Sequence, residues 1–316
     1  MALEVLALRP LGLGDLLTAV PALRALRKSG AAVTVAAPAV LAPLVRLAGC
    51  DLIAAAPLQP LPREAHGADL LVNLHGRGPH SHAIALAARP RRLLAFAHPD
   101  VPATAAMPTH IADEHEVVRW CRLLSDAAIR ADPTQLDLPA PPLPSVLAET
   151  RGATVVHPGA ADAARRWPAE RFATVAAAEY AAGRRIAITG TGRERPLALS
   201  VAQRARLPAS VVLAGRTDLV RLAAVIAHAG RVICGDTGVA HLATAFGVPS
   251  VLIFGPTSPS AWGPPPARAR HRVLWAGVTG DPHADRPHDG LLAIEPADVL
   301  AELAALPSAD DGARLA

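Results

Sequence analysis

Short apolar runs alternate with segments of helical periodicity along the whole chain. In one such segment, Leu16, Val20, Leu23 and Leu26 fall on one helical face. The apolar runs predict strands at residues 4–8, 33–37, 52–55, 69–74, 93–97, 154–157, 185–189, 210–213, 231–234 and 250–254. The periodic segments predict helices at residues 16–28, 38–48, 81–88, 113–129, 169–182, 197–206, 219–229, 239–246 and 296–306. Strands that alternate with helices in this way are typical of an α/β fold.

Prolines divide this pattern into two halves. They are concentrated in one stretch, at Pro133, Pro139, Pro141, Pro142 and Pro144. Proline at this density favours a stiff linker between domains. The predicted parts are therefore a first domain at residues 1–138, a linker at 139–150, a second domain at 151–307 and a frayed tail at 308–316. Each half is a β/α repeat with its own sheet, so we expect a cleft between the carboxyl ends of the two sets of strands.

The composition is that of a globular protein. Hydrophobic residues make up 51% and charged residues 18% of the 316 residues, which is ample material for a core. The net charge is +4 and aromatic residues make up only 3%, so stacking on nucleic acid is not expected. A mildly basic chain still suits an anionic substrate or a membrane surface. Lys28 is the only lysine among the 31 basic residues, a bias typical of a GC-rich genome.

The cysteines and the apolar runs bear on the cellular compartment of the protein. Cys50, Cys121 and Cys234 are far apart in the sequence, which argues against a disulfide framework or a zinc site. The first residues lack the basic and then apolar pattern of a signal peptide, and no apolar run reaches transmembrane length. We therefore expect a cytoplasmic protein, with peripheral contact at the inner face of the membrane as a further expectation.

Residues 231–264 carry the strongest chemical pattern. A predicted strand leads into a turn at residues 235–238, a helix follows, and a second strand ends at a Gly-Pro-Thr loop. Turns at the carboxyl ends of parallel strands are where open α/β sheets bind ligands. The free N–H groups of the helix start favour an anion such as phosphate, Gly238 allows close approach, and His241 lies one turn further on. The structural alternative makes Asp236 a helix N-cap and His241 a packing residue.

A glycine loop follows the first predicted strand. It contains Gly12, Gly14 and Asp15, but no glycine stands at the third fingerprint position. The loop is therefore not a dinucleotide fingerprint, which disfavours a nicotinamide dehydrogenase, and no Walker sequence occurs in the chain. Asp15 stands where a helix N-cap belongs. A carboxylate at the end of a strand also suits a general base, so both interpretations stay open.

Four motifs occur in order along the chain. They are Leu-Arg-Pro-Leu-Gly-Leu-Gly-Asp at 8–15 with Pro-Ala-Leu-Arg at 21–24, His-Pro-Gly-Ala at 157–160 with Arg-Trp-Pro-Ala-Glu-Arg-Phe at 166–172, Leu-Ala-Gly-Arg-Thr-Asp-Leu at 213–219, and the stretch at 231–264. In these motifs, which are spread over most of the chain, it resembles glycosyltransferase family 9, the ADP-heptose:lipopolysaccharide heptosyltransferase family. The resemblance implies a GT-B fold, in which two Rossmann-like domains with parallel sheets face each other across a cleft. It places the acceptor in the first domain and the nucleotide sugar in the second.

The resemblance also implies roles for individual residues. Asp15 would be the general base on the acceptor hydroxyl, and Asp236 would contact the sugar. Arg165 stands where the family usually has a lysine facing the diphosphate, and whether Arg165 or Arg166 carries that role stays open. Glu194 would bind the ribose. The other donor-binding residues implied are Gly14, His157 and Gly190, together with Thr237, Gly238 and His241 on the phosphates.

These implications define the expected function. The first candidate is an inverting, metal-independent glycosyltransferase without a cofactor, which moves heptose from an ADP-linked donor to a hydroxyl of a glycan or glycolipid. One alternative is a GT-B transferase with another nucleotide sugar and an acceptor other than lipopolysaccharide. A second alternative is a sugar-nucleotide-binding protein without turnover. The sequence leaves the oligomeric state open.

Two further stretches have chemical potential. His75-Gly76-Arg77-Gly78 follows a predicted strand of the first half and suits either the acceptor site or an ordinary turn. The polar loop at 276–290 lacks the regular spacing of metal ligands and the cysteines that the family often has there, so we expect a solvated loop. Its metal-capable residues are Asp281, His283, Asp285, His288 and Asp289.

Overall fold

The computed structural model describes residues 2–307, and the predicted tail at 308–316 lies outside the described residues. The chain forms two compact units, residues 1–138 and residues 139–316. Each unit has one five-stranded sheet in which every paired strand is parallel to its neighbour. The expectation of an α/β fold with two parallel sheets is therefore confirmed.

The first unit is built around β1, the central strand of its sheet. Its strands are β1 (Glu4–Leu8), β2 (Ala32–Ala37), β3 (Asp51–Ala54), β4 (Leu70–Asn73) and β5 (Leu93–Leu94). Its helices are α1 (Leu13–Thr18), α2 (Val20–Lys28), α3 (Ala42–Leu47), α4 (His80–Ala87) and α5 (Glu116–Ser125). Leu6, Leu8 and Leu71 belong to one buried cluster, as expected for a sheet covered by helices on both faces.

The order of strands in this sheet is β3-β2-β1-β4-β5. The chain therefore moves outward from β1 through β2 and β3, and then crosses to the other side of β1 as β4. The loops that follow β1 and β4 leave the same edge of the sheet beside this reversal. In open α/β sheets such a point forms a crevice where ligands bind.

The helix predicted at residues 16–28 is two helices. The first begins three residues earlier, at Leu13, and ends at Thr18, and the second begins at Val20. Pro21 explains the break, because a proline inside the predicted helix has no N–H to donate to the carbonyl four residues before it. The predicted N-cap position of Asp15 is consequently wrong, since Gly12 is the N-cap and Asp15 is the third helical residue.

The second unit repeats the arrangement. Its strands are β6 (Thr154–His157), β7 (Ile186–Ile188), β8 (Arg231–Gly235), β9 (Ser250–Phe254) and β10 (His271–Trp275). Its helices are α6 (Ala169–Ala181), α7 (Arg195–Arg204), α8 (Leu219–Ala227), α9 (Gly238–Ala245), α10 (Pro259–Trp262), α11 (Asp289–Leu292) and α12 (Pro296–Ala304). The order β10-β9-β8-β6-β7 places the reversal between β6 and β8. The turns after these two strands therefore start side by side.

Several predicted elements differ from the structure. In place of the strand predicted at 210–213, the structure has a 3-10 turn at Ala209–Val211, in which the Pro208 carbonyl oxygen accepts a hydrogen bond from the Val211 N–H. Val212 forms an isolated bridge to Ile188. The strand predicted at 93–97 ends at Leu94. The helix predicted at 113–129 starts at Glu116, where the His115 ring caps the Val117 N–H. The strand β10 and the short helices α10 and α11 were not predicted.

The proline-rich stretch joins the second unit. Residues 145–150 of the predicted linker form a 3-10 helix, and its side chains Leu147 and Thr150 are buried. The His228 ring also contacts the Pro141 carbonyl oxygen at 3.1 Å. These contacts lie inside the unit that begins at residue 139. Within residues 2–307 no helix combines the length and the apolar character that a membrane span requires.

Candidate functional site

The loop after β1 holds Asp15 at the reversal point of the first sheet. Asp15 lies in the first turn of α1, and its carboxylate accepts a hydrogen bond from the Gly12 N–H at 3.2 Å. About 29% of its side chain is exposed, so a substrate hydroxyl has access to it. Gly14 precedes it in the same turn. The structure therefore supports access to Asp15, while its role as a base stays a prediction.

A buried arginine organises this loop. The Arg9 side chain is 1% exposed, and its Nε donates to the Asp15 carbonyl oxygen at 2.9 Å. Its Nη2 donates to Glu116 Oε1 at 2.9 Å and to Thr18 Oγ1 at 3.2 Å, and lies 3.5 Å from Asp15 Oδ1. Its Nη1 donates to the Leu74 carbonyl oxygen. Arg9 thus joins the ends of β1 and β4 to the start of α5.

His75 faces the same carboxylate from the loop after β4. Burial lowers the pKa of His75 below its usual value, the nearby Arg9 charge lowers it further, and Asp15 opposes the shift. The His75 Nε2 atom is buried without a hydrogen-bond partner among the described residues. Asn73 fixes the start of this loop, because its Oδ1 accepts from the His75 N–H at 3.0 Å. Of the stretch 75–78, for which an acceptor site or an ordinary turn was predicted, the structure places His75 beside Asp15.

In the second unit, the turn after β8 buries an acid. Asp236 is 7% exposed, and burial raises the pKa of its carboxyl above the usual value. The Arg165 charge and a hydrogen bond with the Thr257 side chain act in the opposite direction. Gly235 allows this assembly to form, since a Cβ there would stand 3.1 Å from the Arg165 carbonyl oxygen. The predicted residues Asp236 and Arg165 are therefore close together.

The helix α9 begins directly after this acid. Its N-cap is Thr237, which has extended backbone angles and makes no side-chain cap, so Asp236 is not the N-cap that the structural alternative required. The Thr237 hydroxyl is buried beside the Cys234 thiol and has no hydrogen-bond partner among the described residues. Gly238 is the first helical residue, and His241, one turn later, packs against Trp262 with ring centroids 6.2 Å apart. The turn therefore presents backbone N–H groups of the kind that bind anions.

Arg165 and Arg166 have different surroundings. Arg166 Nε donates to the Ala160 carbonyl oxygen at 2.8 Å and its Nη2 donates to the Ala161 carbonyl oxygen at 3.0 Å, so its guanidinium holds the loop after β6. Among the described residues, the Arg165 guanidinium donates to one side chain, from Nη2 to Asp162 Oδ2 at 3.0 Å, and its Nε is buried without a partner. The Arg165 guanidinium is therefore less engaged by the fold than that of Arg166.

The ends of β6 and β7 bring three further predicted residues together. His157 is 7% exposed, its Nδ1 lies 3.0 Å from Thr189 Oγ1, and burial lowers its pKa. Glu194 Oε2 accepts from the Thr191 N–H at 2.7 Å. A Cβ added to Gly190 would lie 3.2 Å from the Glu194 Cβ, so these residues pack tightly. All three lie at the carboxyl edge of the second sheet, beside the loop that carries Arg165.

The polar loop at 276–290 has hydrogen bonds within itself and to the loop after β6. His288 caps α11 by accepting from the Gly290 N–H at 3.1 Å, and His283 Nδ1 lies 3.2 Å from Asp162 Oδ2. Within residues 2–307 no group of three or more His, Cys, Asp or Glu side chains is arranged to hold a metal ion. The loop therefore contacts the Arg165 segment through His283, a link that its sequence does not indicate.

Comparison with known proteins decides the family. The family model described as glycosyltransferase family 9 (heptosyltransferase) matches residues 103–287, more than half of the chain. The chain belongs to glycosyltransferase family 9. Asp15 and its loop precede the matched stretch, whereas Arg165, Glu194 and Asp236 lie inside it.

Individual relatives match over shorter stretches. The chain is 32% identical over 152 residues to lipopolysaccharide heptosyltransferase 2 of Escherichia coli K12, which covers 45% of this chain and 43% of the relative. It is 31% identical over 170 residues to lipopolysaccharide heptosyltransferase 3 of Escherichia coli, covering 51% and 49%. The aligned stretches thus span less than half of each relative.

The fold match extends over nearly the whole family 9 chain. The structure of E. coli ADP-heptose lipopolysaccharide heptosyltransferase II superposes with a TM-score of 0.74 at 23% identity, covering 96% of this chain and 98% of the other. At this identity the match establishes the fold alone. It confirms that the two Rossmann-like units have the GT-B heptosyltransferase fold that the motifs implied.

Some residues of the site were not singled out from the sequence. Arg9 and Thr257 stand inside quoted motifs but had no assigned role, and Glu116 was part of a predicted helix only. Arg9 and Glu116 are 107 positions apart and meet only in the folded unit. The one available signal was an arginine in an apolar strand end, which must find a partner when it is buried.

Proposed function

We propose that this family 9 chain is an inverting, metal-independent glycosyltransferase that moves heptose from ADP-heptose to a hydroxyl of a glycan or lipid-linked acceptor. Lipopolysaccharide synthesis is the proposed setting, since the curated relatives are lipopolysaccharide heptosyltransferases. ADP-heptose is named by the structural neighbour and is a proposal for this chain. The donor would lie on the second unit and the acceptor on the first.

The turn that opens α9 is the observation that carries this proposal. It combines uncapped helical N–H groups, the buried hydroxyl of Thr237 and the nearby guanidinium of Arg165 at the reversal point of the sheet. Helix N-termini and guanidinium groups are good partners for phosphate oxygens. A nucleoside diphosphate that leaves from a sugar carbon gains negative charge, and donors placed there stabilise that charge.

The acceptor must lose a proton as its oxygen attacks the sugar from the opposite side. Asp15 is the proposed base, because its carboxylate is partly exposed beside Arg9 and His75 at the edge of the first sheet. Arg165 would supply the positive charge that stabilises the leaving diphosphate, and no metal ion would take part. The Glu194 carboxylate would accept hydrogen bonds from the ribose hydroxyls, and the Asp236 carboxylate would accept them from hydroxyls of the transferred sugar.

Nucleotide binding tests the donor site first. We expect calorimetry to show ADP binding in preference to UDP, GDP and dTDP, with the same affinity with and without magnesium. His241→Ala should weaken ADP binding about tenfold, the loss typical of one charged or strong hydrogen bond. Preference for another nucleotide would keep the fold and change the donor. Absence of binding to all four would refute the anion site at residues 236–241.

Turnover then separates an enzyme from a binding protein. Asp15→Asn should lower kcat by about 10² to 10⁴, the usual contribution of a general base, and leave the ADP affinity unchanged. The product anomer, read by NMR, should be inverted relative to the donor. A wild-type protein that binds ADP but turns over no ADP-sugar with any acceptor tested would be a sugar-nucleotide-binding protein.

A further inference from the structure

The carboxylate of Glu116 is the meeting point of three donors in the first unit. Glu116 is the first residue of α5, and its side chain is 6% exposed. Its Oε1 accepts from Arg9 Nη2 at 2.9 Å and from Trp120 Nε1 at 3.0 Å, and its Oε2 accepts from Arg119 Nη1. A buried carboxylate with this many donors is firmly held in one position.

Arg9 connects this carboxylate to the loop that carries the proposed base. One guanidinium edge donates to the main chain of Asp15, and another nitrogen holds the Leu74 carbonyl oxygen across the reversal point. The guanidinium carbon also lies 4.8 Å from the centroid of the Trp120 ring. Arg9 is therefore fixed from three sides, and the Asp15 loop takes its position from Arg9.

The distances show how the charge of Arg9 is shared. Arg9 Nη2 stands 2.9 Å from Glu116 but 3.5 Å from Asp15 Oδ1. The closer carboxylate takes the larger part of the Coulomb interaction, and the difference counts for more in a buried site than in water. Without the charge of Glu116, the nearest carboxylate to Arg9 would be Asp15, and a base that is strongly paired with a cation accepts protons less readily.

We propose that Glu116 is a positioning residue for transfer, which holds Arg9 against the Asp15 loop and draws its positive charge away from the Asp15 carboxylate. This inference rests on the proposed function, because it requires Asp15 to accept a proton. The charged and titratable groups that face Asp15 are Arg9 and His75, and those that face Glu116 are Arg9, Arg119 and His110.

The test compares two neutralised glutamates of the same unit. Glu116→Gln removes the charge beside Arg9. Glu114→Gln is the matched control, because Glu114 pairs with Arg122 at 2.8 and 2.9 Å. Both variants lose one negative charge from a largely buried ion pair, but only Glu116→Gln alters the partner of Arg9. The readouts are kcat, the KM for the nucleotide sugar, and the pH at which the acidic limb of kcat is half maximal.

We expect Glu116→Gln to lower kcat about tenfold, to change the donor KM less than twofold, and to move the acidic limb about one pH unit downward. Glu114→Gln should keep the acidic limb of the wild type. Glu116→Asp retains the charge but shortens the side chain, and should move the limb the same way by a smaller amount. It serves the same comparison if Glu116→Gln does not fold.

Two results overturn the inference in different ways. In the first, Asp15→Asn is inactive, but the Glu116 variants have the same acidic limb as Glu114→Gln. Glu116 is then only structural, and the proposed function stands. If Asp15→Asn keeps its turnover, the base assignment fails, and the role of Glu116 fails with it.

Discussion

Gly159 lies against the carboxylate that is proposed to bind the ribose, and replacing it with alanine should displace that carboxylate. A Cβ at Gly159 would stand 2.1 Å from Glu194 Oε1, 2.3 Å from Cδ and 2.9 Å from Oε2. Ordinary van der Waals contact begins at 3.4 Å, so the carboxylate must retreat by more than about 1 Å. The backbone of Gly159 has no left-handed φ, so alanine adds a clash and no backbone strain.

The magnitude follows from the bonds that the carboxylate makes. Moving Glu194 lengthens its 2.7 Å bond to the Thr191 N–H, an exposed bond that contributes at most about 1 kcal/mol to stability. Hydrogen bonds from a ribose to a charged carboxylate contribute about 1.5 to 3 kcal/mol to binding. Gly159→Ala should therefore weaken ADP binding about 10- to 100-fold while the melting temperature changes by only a few degrees.

Calorimetric titration with ADP measures this effect, and a neighbouring glycine supplies the control. A Cβ at Gly192 would meet nothing within 4 Å, so Gly192→Ala should bind ADP as the wild type does. Glu194→Ala should match Gly159→Ala, and the double variant should bind no more weakly than either, because both remove the same contact. Equal affinities of Gly159→Ala and Gly192→Ala, or additive losses in the double variant, would refute the reasoning.

Four other variants test the charges of the second unit. Arg165→Ala should lower kcat about 100-fold, which kinetics measure. Arg166→Ala should lower the melting temperature by several degrees, which thermal unfolding measures, because two loop carbonyls lose their donor. Asp236→Asn should raise the melting temperature at pH 7.5 while it lowers turnover, because a buried carboxyl with a raised pKa destabilises the fold once it is ionised; a lower melting temperature would contradict this. His157 has a lowered pKa in the fold, so the unfolded chain binds more protons below about pH 6.5 and stability falls there as the pH is lowered. The melting temperature of His157→Gln should therefore fall less than that of the wild type between pH 7 and pH 5.5. Equal decreases would argue against a contribution of His157 to the pH dependence of stability.

The order of strands and helices was accessible from the sequence because it depends on local periodicity. The turn at residues 235–238 was placed correctly, since an apolar strand, a glycine turn and a short helix each have a local signature. One error came from a proline that was given too little weight, because Pro21 divides a predicted helix. Half of the strand predicted at 210–213 belongs instead to a 3-10 turn that begins after Pro208.

The parts of the site that depend on long-range contacts were not accessible in this way. Nothing near Arg9 in sequence indicates that Glu116 is its partner, and nothing near Asp162 indicates that His283 contacts it. The question of Arg165 or Arg166 was also left open. The two arginines are adjacent and identical in type, and only the carbonyl oxygens of the folded loop distinguish them.

Buried polar atoms without partners offer a way to distinguish function from folding in this chain. The Arg166 guanidinium is engaged by the Ala160 and Ala161 carbonyl oxygens, so the fold alone accounts for its position. His75 Nε2, Arg165 Nε and Thr237 Oγ1 are buried and lack partners among the described residues. These three atoms lie beside carboxyl ends of strands at the two reversal points, where polar groups of a ligand would pair with them. Arg119 Nε and Arg272 Nε are also buried and unpaired within residues 2–307 but lie in α5 and β10, so an unpaired atom indicates a candidate ligand contact only where it stands at such a turn.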